Sequence, residues 1–532
     1  MSERRWLPPH DPEQGWDTPT EEDVAEMLGE DGLVEGVSLG GPLPGDEDSD
    51  GDDHLPPRPI PEVGSPEWQA DNAELAAVEE ELSTRWPESK LEPSLDRIAE
   101  LTSVLGDPQH AYPVVHVAGT NGKTSVTRMI DALMRALHQR TGRNSSPHLQ
   151  SVTERIALDG EPVTARTFVD TYRELQPYLE LVDRRSEADG GPRMSYFEVL
   201  TSMAFAAFAD APVDVAVIET GMGGTWDATN VVQPAVAVVT PVGLDHVDYL
   251  GQDLSTIAGE KAGIITAGPS DDLMPRDPVA VIGRQEPEAM EVLLRRAVDV
   301  GAVVARLGSE FEVIDRKLAV GGQQLTLRGL GGEYSDIFLP LFGEHQADNA
   351  ATALAAVEAF FGAGPDRALD PELIRAGFAA VDNPGRLERL SSSPTVLVDA
   401  AHNGHGGRAL AEAITSEFDF KRLVAVVAML DGKDADAFLA ALEPVVEEVV
   451  VTRAASPRAM DLEDLTRIAE DRFTPQRVHV VESLPDAVSA ALDLVGVPDP
   501  TADHDVSGVG VIVTGSVVTA GATRSLFGKD AQ

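Results

Sequence analysis

The string Gly119-Thr120-Asn121-Gly122-Lys123-Thr124-Ser125 places two glycines, one lysine and three hydroxyls within seven residues. It follows the apolar run VVHVA at 114–118 and precedes Val126, Met129, Ile130, Leu133 and Leu137, which are spaced for one face of a helix. A glycine loop between a strand and a helix turns backbone N–H groups toward phosphate oxygens. Lys123 then reaches the terminal phosphates, and the hydroxyl of Thr124 or Ser125 can approach Mg²⁺. The full phosphate-loop pattern would put glycine at 117, where this chain has Val117, so the match is to the shorter G-T-x-G-K-[ST] form. ATP binding through Gly119 to Ser125 is the expectation.

Other candidates sit at the ends of apolar runs. Glu219 closes VDVAVIE, His246 follows AVAVVT in GLDH, and Asp399 and His402 follow TVLV in DAAHN. Open α/β sheets place their ligands beyond the carboxyl ends of the strands, and a carboxylate there is an oxygen donor suited to Mg²⁺. His246 by residue type alone reads as a hydrogen-bonded loop histidine, because imidazole is an unusual magnesium ligand. Asn349, Arg386, Asp399 and His402, each taken alone, read equally well as capping or ion-pairing residues.

The elements that must position these groups alternate. Strand-like runs VVHVA, VDVAVIE and AVAVVT interleave with helical patterns such as YFEVLTSMAFAAFA, predicting a mostly parallel sheet with helices on both faces. Helices at 348–362 and near 371–380 lead to the turn Asn383-Pro384-Gly385. Beyond it, TVLVDA, LVAVVAML, EEVVVTR, RVHVV and GVGVIVTGS alternate with helices beginning near Gly407, Asp434, Asp461 and Ser483, which predicts a smaller doubly wound, Rossmann-like sheet. The fold class expected is therefore α/β, with a phosphate-loop ATPase domain over 68–383 and a second domain over 384–532.

Residues 1–67 differ in kind: they hold 19 acidic and 3 basic residues and 11 of the 37 prolines. Such a composition predicts a disordered acidic extension, with at most a transient helix at Glu21 to Leu28. Over all 532 residues, 41 Lys+Arg against 90 Asp+Glu gives −49. That balance argues against nucleic acid and anionic membranes as partners. No run of about 18 to 20 uncharged apolar residues can span a bilayer, and the amino terminus lacks a secretory signal's apolar core. A soluble cytoplasmic protein, functioning as a monomer, is expected. Without cysteine, the chemistry rests on oxygen and imidazole groups.

Taken together, GTNGKTS, SSPHLQSVTERI at 145–156, SYFEVLT at 195–201, VIETGMGGTWDATN at 217–230, TPVGLDHVDYLG at 240–251, EKAGIIT at 260–266, GEHQADNAATALAA at 343–356, NPGRLE at 383–388, VDAAHNGHG at 398–406, MLDGKD at 429–434 and VTGSVVTAG at 513–521 resemble the folylpolyglutamate synthase/dihydrofolate synthase family of Mur-type ligases. The resemblance covers about residues 75–532. It implies ATP-dependent joining of L-glutamate to dihydropteroate, to folates, or to both, through an acyl phosphate. It assigns Ser146, Glu219 and His246 as metal ligands. Lys261, one of only seven lysines, becomes a carbamate that holds a second Mg²⁺. It further implies that Asn349 reads adenine, that Asp399 and His402 contact ribose and phosphate, and that Arg386 bridges ATP and the amino-acid site. Pro147, His148 and Arg155 would line the pterin pocket, with Phe197 and Glu198 close by, Phe197 being left out of the site because aromatics at helical spacing are usually core, while Ser456 and Arg458 would meet glutamate or nucleotide.

One position departs from the resemblance. The usual folate loop reads GTNGKGS, whereas Thr124 stands at the customary glycine, as in peptidoglycan ligases. Those ligases need a sizeable amino-terminal domain for their UDP-sugar, which residues 1–67 cannot form. A peptidoglycan-type ligase and a nucleotide-sensing ATPase switch are the alternative readings.

Overall fold

The computed structural model describes residues 60–86, 94–268, 277–365, 367–496 and 508–529; the expected acidic extension, up to residue 59, lies outside the described residues, as does its segment Glu21 to Leu28. The first element is the helix Pro66–Ser83, with Pro66 at its first turn and Ser65 Oγ accepting from Trp68 N.

Eight strands form the first sheet: β1 (Val114–Ala118), β2 (Thr141–Asn144), β3 (Ile156–Leu158), β4 (Glu161–Pro162), β5 (Val215–Glu219), β6 (Val236–Val239), β7 (Val279–Ile282) and β8 (Val303–Arg306). Their spatial order is β4-β3-β2-β5-β1-β6-β7-β8. The run from β2 to β8 is parallel, and β3 and β4 add an antiparallel edge. Strands β1, β5 and β6 are buried at every position, the reason they read as unbroken apolar runs. The helices Lys123–Ala136 and Glu344–Phe361 cover one face of β1, while Ala165–Ala188 and Tyr196–Asp210 cover the other.

A second, antiparallel sheet of β9 (Glu312–Ala319), β10 (Gly322–Arg328) and β11 (Glu333–Leu339) was not expected from the sequence. Its signal is the period-two burial of β10, with Gln323, Leu325 and Leu327 inward and Gln324 and Arg328 outward. The β9–β10 turn contains Gly321 at φ +83°, the left-handed region that glycine enters without cost.

The third sheet holds β12 (Glu388–Ser392), β13 (Thr395–Val398), β14 (Arg422–Val427), β15 (Glu448–Val451), β16 (Val478–Val480) and β17 (Val509–Thr514), in the order β12-β13-β17-β14-β15-β16. The five strands expected are β13 to β17, all parallel, and β12 is an additional antiparallel edge. Helices Gly404–Glu417, Ala435–Leu442 and Leu462–Phe473 pack on one face and Leu484–Val495 and Val517–Leu526 on the other, so this domain is doubly wound. Asp434, Asp461 and Ser483 are the N-caps of their helices. The helix expected from Gly407 starts three residues earlier. Asn403 Oδ1 accepts from Gly406 N at 2.7 Å and begins it, while the glycines of GHGG hide that start in the sequence. Among the described residues no helix is long and apolar enough to cross a membrane.

The helix after the phosphate loop is tied to β2 by a buried ion pair. Asp131 accepts from Thr141 Oγ1 at 2.6 Å and from Arg143 Nη1 at 2.8 Å, and the Arg143 and Asp131 side chains are 3% and 1% exposed. Asp131→Ala leaves the guanidinium buried without its carboxylate, a change that costs about 3–5 kcal/mol. A fall in the urea midpoint of matching size is expected, and an unchanged midpoint would contradict the pairing.

Candidate active site

Between the two domains lies a cleft of about 1210 Å³, and every site residue expected from the sequence lines it. Its floor is the phosphate loop. Thr120 N and Asn121 N both donate to Pro241 O, Thr240 Oγ1 donates to Asn121 O at 2.8 Å, and Thr120 Oγ1 donates to Gly243 O at 3.0 Å. The loop is thus braced by the segment after β6, which goes on to carry His246. Gly119 has φ +148°, and a Cβ there would lie 1.9 Å from Thr240 Oγ1. Gly122, at φ +85°, caps the following helix, so N–H groups free of intrahelical partners face the cleft beside Lys123.

Glu219 is 1% exposed at the end of β5, directly beside β1. Thr124 Oγ1 donates to its Oε1 at 3.0 Å, and its Oε2 is buried with no hydrogen-bond partner. Burial pushes this carboxyl up, against the pull of Lys123, Thr124, Arg386 and the Ser146 backbone. Ser125, the other hydroxyl considered for magnesium, is engaged elsewhere: Asn383 Nδ2 donates to its Oγ at 2.8 Å and Gln346 Nε2 at 3.4 Å. Burial, followed by the Lys433 ammonium, pushes the His246 imidazole down to about 4, and Lys433 Nζ donates to its Nε2 at 3.4 Å. Lys261 is 4% exposed, with Nζ donating to Gly119 O at 2.8 Å. Burial first, then the nearby charge of Lys123, pushes it down to about 7. The unpartnered Glu219 oxygen and the buried Ser146 are oxygen groups of the kind a hard divalent cation takes, whereas the His246 imidazole is an unusual ligand for one.

On the substrate side, Arg155 Nε donates to His148 Nδ1 at 3.0 Å, and its guanidinium lies 5.3 Å from the Tyr196 ring centroid. Burial and then Arg155 push His148 down to about 3. Phe197, assigned to the core from its helical spacing, is half-buried and lines the cleft beneath Gly221. Glu198 accepts from Ser195 N at 2.7 Å and from Arg97 Nε at 3.0 Å, so it is a helix cap and ion-pair partner.

In the second domain both Asp399 oxygens hold backbone: Oδ2 accepts from Leu387 N at 2.7 Å and Oδ1 from Ala401 N at 2.8 Å, fixing the chain beside Arg386. His402 Nδ1 pairs with Ala400 O at 2.9 Å. Asn349 is buried beneath the phosphate loop, where a Cβ on Gly122 would lie 2.9 Å from its Oδ1. Ser456 and Arg458 lie on one tight loop, with Arg458 N donating to Ser456 Oγ at 3.2 Å.

Four cleft residues were not singled out from the sequence. Asp245 receives Lys433 Nζ at 2.9 Å and Asn403 Nδ2 at 2.9 Å, and Asn121 of the phosphate loop meets His405 at 2.5 Å. Burial pushes the Asp245 carboxyl up, but Lys433, His246 and His402 together bring it well below the usual range. Asp245 and Lys433 fall inside GLDH and MLDGKD, segments that carried the resemblance without a role for either residue. Among the described residues lining the cleft are nine basic side chains, Arg97, Lys123, Arg155, Arg193, Lys261, Arg386, Arg408, Lys433 and Arg458, and nine acidic ones, Glu198, Glu219, Asp227, Asp245, Asp248, Glu286, Asp399, Asp431 and Asp434.

The fold and cleft define a Mur-type ligase: residues 191–357 match the Mur ligase middle domain, and 385–515 the Mur ligase glutamate ligase domain. The chain is 60% identical over 468 residues to the dihydrofolate synthase/folylpolyglutamate synthase of Mycobacterium tuberculosis, covering 86% of this chain and 95% of that one. The Escherichia coli protein of the same name is 34% identical over 373 residues, 70% of this chain and 80% of its own. Among solved structures, the M. tuberculosis folylpolyglutamate synthase complexed with ADP superposes with a TM-score of 0.81 at 59% identity, covering 87% of this chain and all of that one. The Thermotoga maritima folylpolyglutamate synthase gives 0.70 at 30% identity, over 86% and 97%. The chain belongs to the folylpolyglutamate synthase/dihydrofolate synthase family.

The brace under the loop sets a test. Gly119→Ala should weaken ADP binding at least tenfold by calorimetry, and adding Thr240→Ala, which removes the clashing oxygen, should recover part of the loss. Wild-type affinity in the single variant would show that Thr240 does not fix the loop.

Proposed function

We propose that this protein uses ATP to join L-glutamate to dihydropteroate and to the γ-carboxyl of reduced folates, working as a cytoplasmic monomer. The observation that carries the reading is the meeting of the phosphate loop, the buried Glu219 and Arg386 in one interdomain cleft. In such a ligation the γ-phosphoryl group of ATP passes to the folate carboxylate, the glutamate amine attacks the acyl phosphate, and phosphate leaves. All the reactants carry negative charge, so positioning and charge neutralisation carry the catalysis.

Lys123 and the amides of Gly122 to Ser125, at the head of the following helix, hold the phosphates, while the Thr120 and Asn121 amides are spent on Pro241 O; Asn349, Asp399 and His402 hold or frame the rest of the nucleotide. Ser146, Glu219 and His246 would hold one Mg²⁺, which when bound neutralises phosphate oxygens. The Thr124 hydroxyl, already on Glu219, orients that carboxylate. Pro147, His148 and Arg155 face the folate, and Ser456 and Arg458 lie where the incoming glutamate or the nucleotide would contact the second domain. Arg386, in the linker, reaches toward both.

Lys261 supports a second metal as a carbamate. With burial bringing it to about 7, a large fraction is the neutral amine, which attacks carbon dioxide, forms an N–C bond and releases one proton. The product is anionic where Lys261 was cationic.

Mass spectrometry of products formed with ATP, glutamate and either dihydropteroate or tetrahydrofolate should show one added glutamyl unit on each acceptor. Turnover with neither acceptor, but with a UDP-sugar peptide, would overturn the reading. Lys123→Ala should abolish turnover with little change in Tm. For Lys261, ¹³C-labelled bicarbonate should give a carbamate carbonyl resonance that Lys261→Arg lacks; no such resonance in the wild type would rule the modification out.

A further inference from the structure

We propose that the tip of the Ser146 loop, Leu149 and Gln150, docks onto the second domain and sets the position of Ser146, so that metal-dependent turnover requires this contact. The inference rests on the reading of Ser146 as a metal ligand.

The loop is built to move as one piece. A single carboxylate, that of Glu154, accepts from three consecutive amides, Leu149 N, Gln150 N and Ser151 N, each at 2.8 Å. At the loop's base, Asn144 Nδ2 donates to Arg155 O at 3.0 Å and Ser145 N to the same carbonyl at 3.2 Å. A shift of the tip therefore reaches Ser146, three residues upstream, rather than dissipating within the loop.

The tip is seated on groups of the other domain. Gln150 Nε2 donates to Ser525 Oγ at 2.9 Å and to Lys529 O at 2.8 Å, and Arg524 donates to its Oε1. The Leu149 side chain packs into the core of the second domain, between Gly385 of the linker and Ala520 of the helix Val517–Leu526. Two glycines make room. A Cβ on Gly521 would lie 1.9 Å from Leu149 O, and a Cβ on Gly385 would lie 3.0 Å from Leu149 Cδ1. The seat is also joined to the linker: Glu388 pairs with Arg524 at 2.9 Å and Lys529 at 3.0 Å, and accepts from Gly385 N at 2.9 Å, one residue before Arg386. One network thus links the Ser146 loop, the Arg386 linker and the last helix. None of the docking groups touches the reacting atoms in this reading, so they are positioning residues. Small displacements of the groups they carry are enough to lower a rate by orders of magnitude.

The test compares Gly521→Ala and the pair Leu149→Ala/Gln150→Ala with wild type, Leu149→Met and Ser146→Ala. The first two should lower kcat at least tenfold, keep KM for ATP within twofold, and raise the Mg²⁺ concentration for half-maximal turnover. Leu149→Met, which still fills the seat, should stay close to wild type. Loss of melting temperature with kcat unchanged would make the contact structural only and overturn the proposal. So would wild-type Mg²⁺ dependence in the tip variants when Ser146→Ala raises it. If Ser146→Ala leaves the Mg²⁺ dependence unchanged, the metal assignment fails, and the docking role is then decided by kcat: a tenfold loss at unchanged ATP KM supports it, and wild-type kcat overturns it.

Discussion

A carboxylate held almost dry at the end of a central strand is the constraint around which this cleft is arranged. Glu219 has one oxygen on Thr124 and the other with no partner, in a place where an isolated negative charge would cost several kcal/mol. What offsets that cost is drawn from Lys123 and Thr124 of the phosphate loop, Arg386 of the linker and the Ser146 backbone. The same need explains why Lys261 can be so deeply buried. Its ammonium is held by the Gly119 carbonyl and lies near Asp245 and Asp227, yet burial and Lys123 drive it toward the neutral amine. The site is therefore a set of charges each of which is costly alone.

The brace under the phosphate loop and the contacts across the cleft belong to one mechanical unit. Thr240, following β6, fixes Gly119 and Asn121. Five residues further on, the same segment offers Asp245 to Lys433 and Asn403 of the second domain. The nucleotide floor and the interdomain contact are thus parts of a single short stretch of chain. Asp399 plays a matching part on the other side, spending both oxygens on backbone amides beside Arg386.

Local patterns made much of this legible. Strand, glycine loop and helix are contiguous, so the phosphate loop could be read directly, and Glu219 was reachable because strand ends are where open sheets bind ligands. Asp434, Asp461 and Ser483 marked helix starts by their capping chemistry. What the sequence hid was non-local or weakly patterned. Asp245 and Lys433 are 188 positions apart, and each alone reads as a solvated charge. The choice between Thr124 and Ser125 needed Asn383, which comes from beyond the first sheet. The sheet β9–β11 escaped because its outer strand is largely exposed and lacks a clean alternation. Phe197 both packs against the core and lines the cleft, a double role that helical spacing alone does not reveal.

The nine basic and nine acidic side chains lining the cleft sit within a chain of net charge −49. Polyanionic reactants therefore meet repulsion from the outer surface before they reach a cleft in which basic side chains are as numerous as acidic ones. Dissolved ions screen such forces beyond about 8–10 Å at physiological strength, while the short contacts inside the cleft are screened much less. Capture of ATP and of lengthening glutamyl chains would then quicken as ionic strength rises, the reverse of the behaviour of a protein that draws its substrates in by attraction.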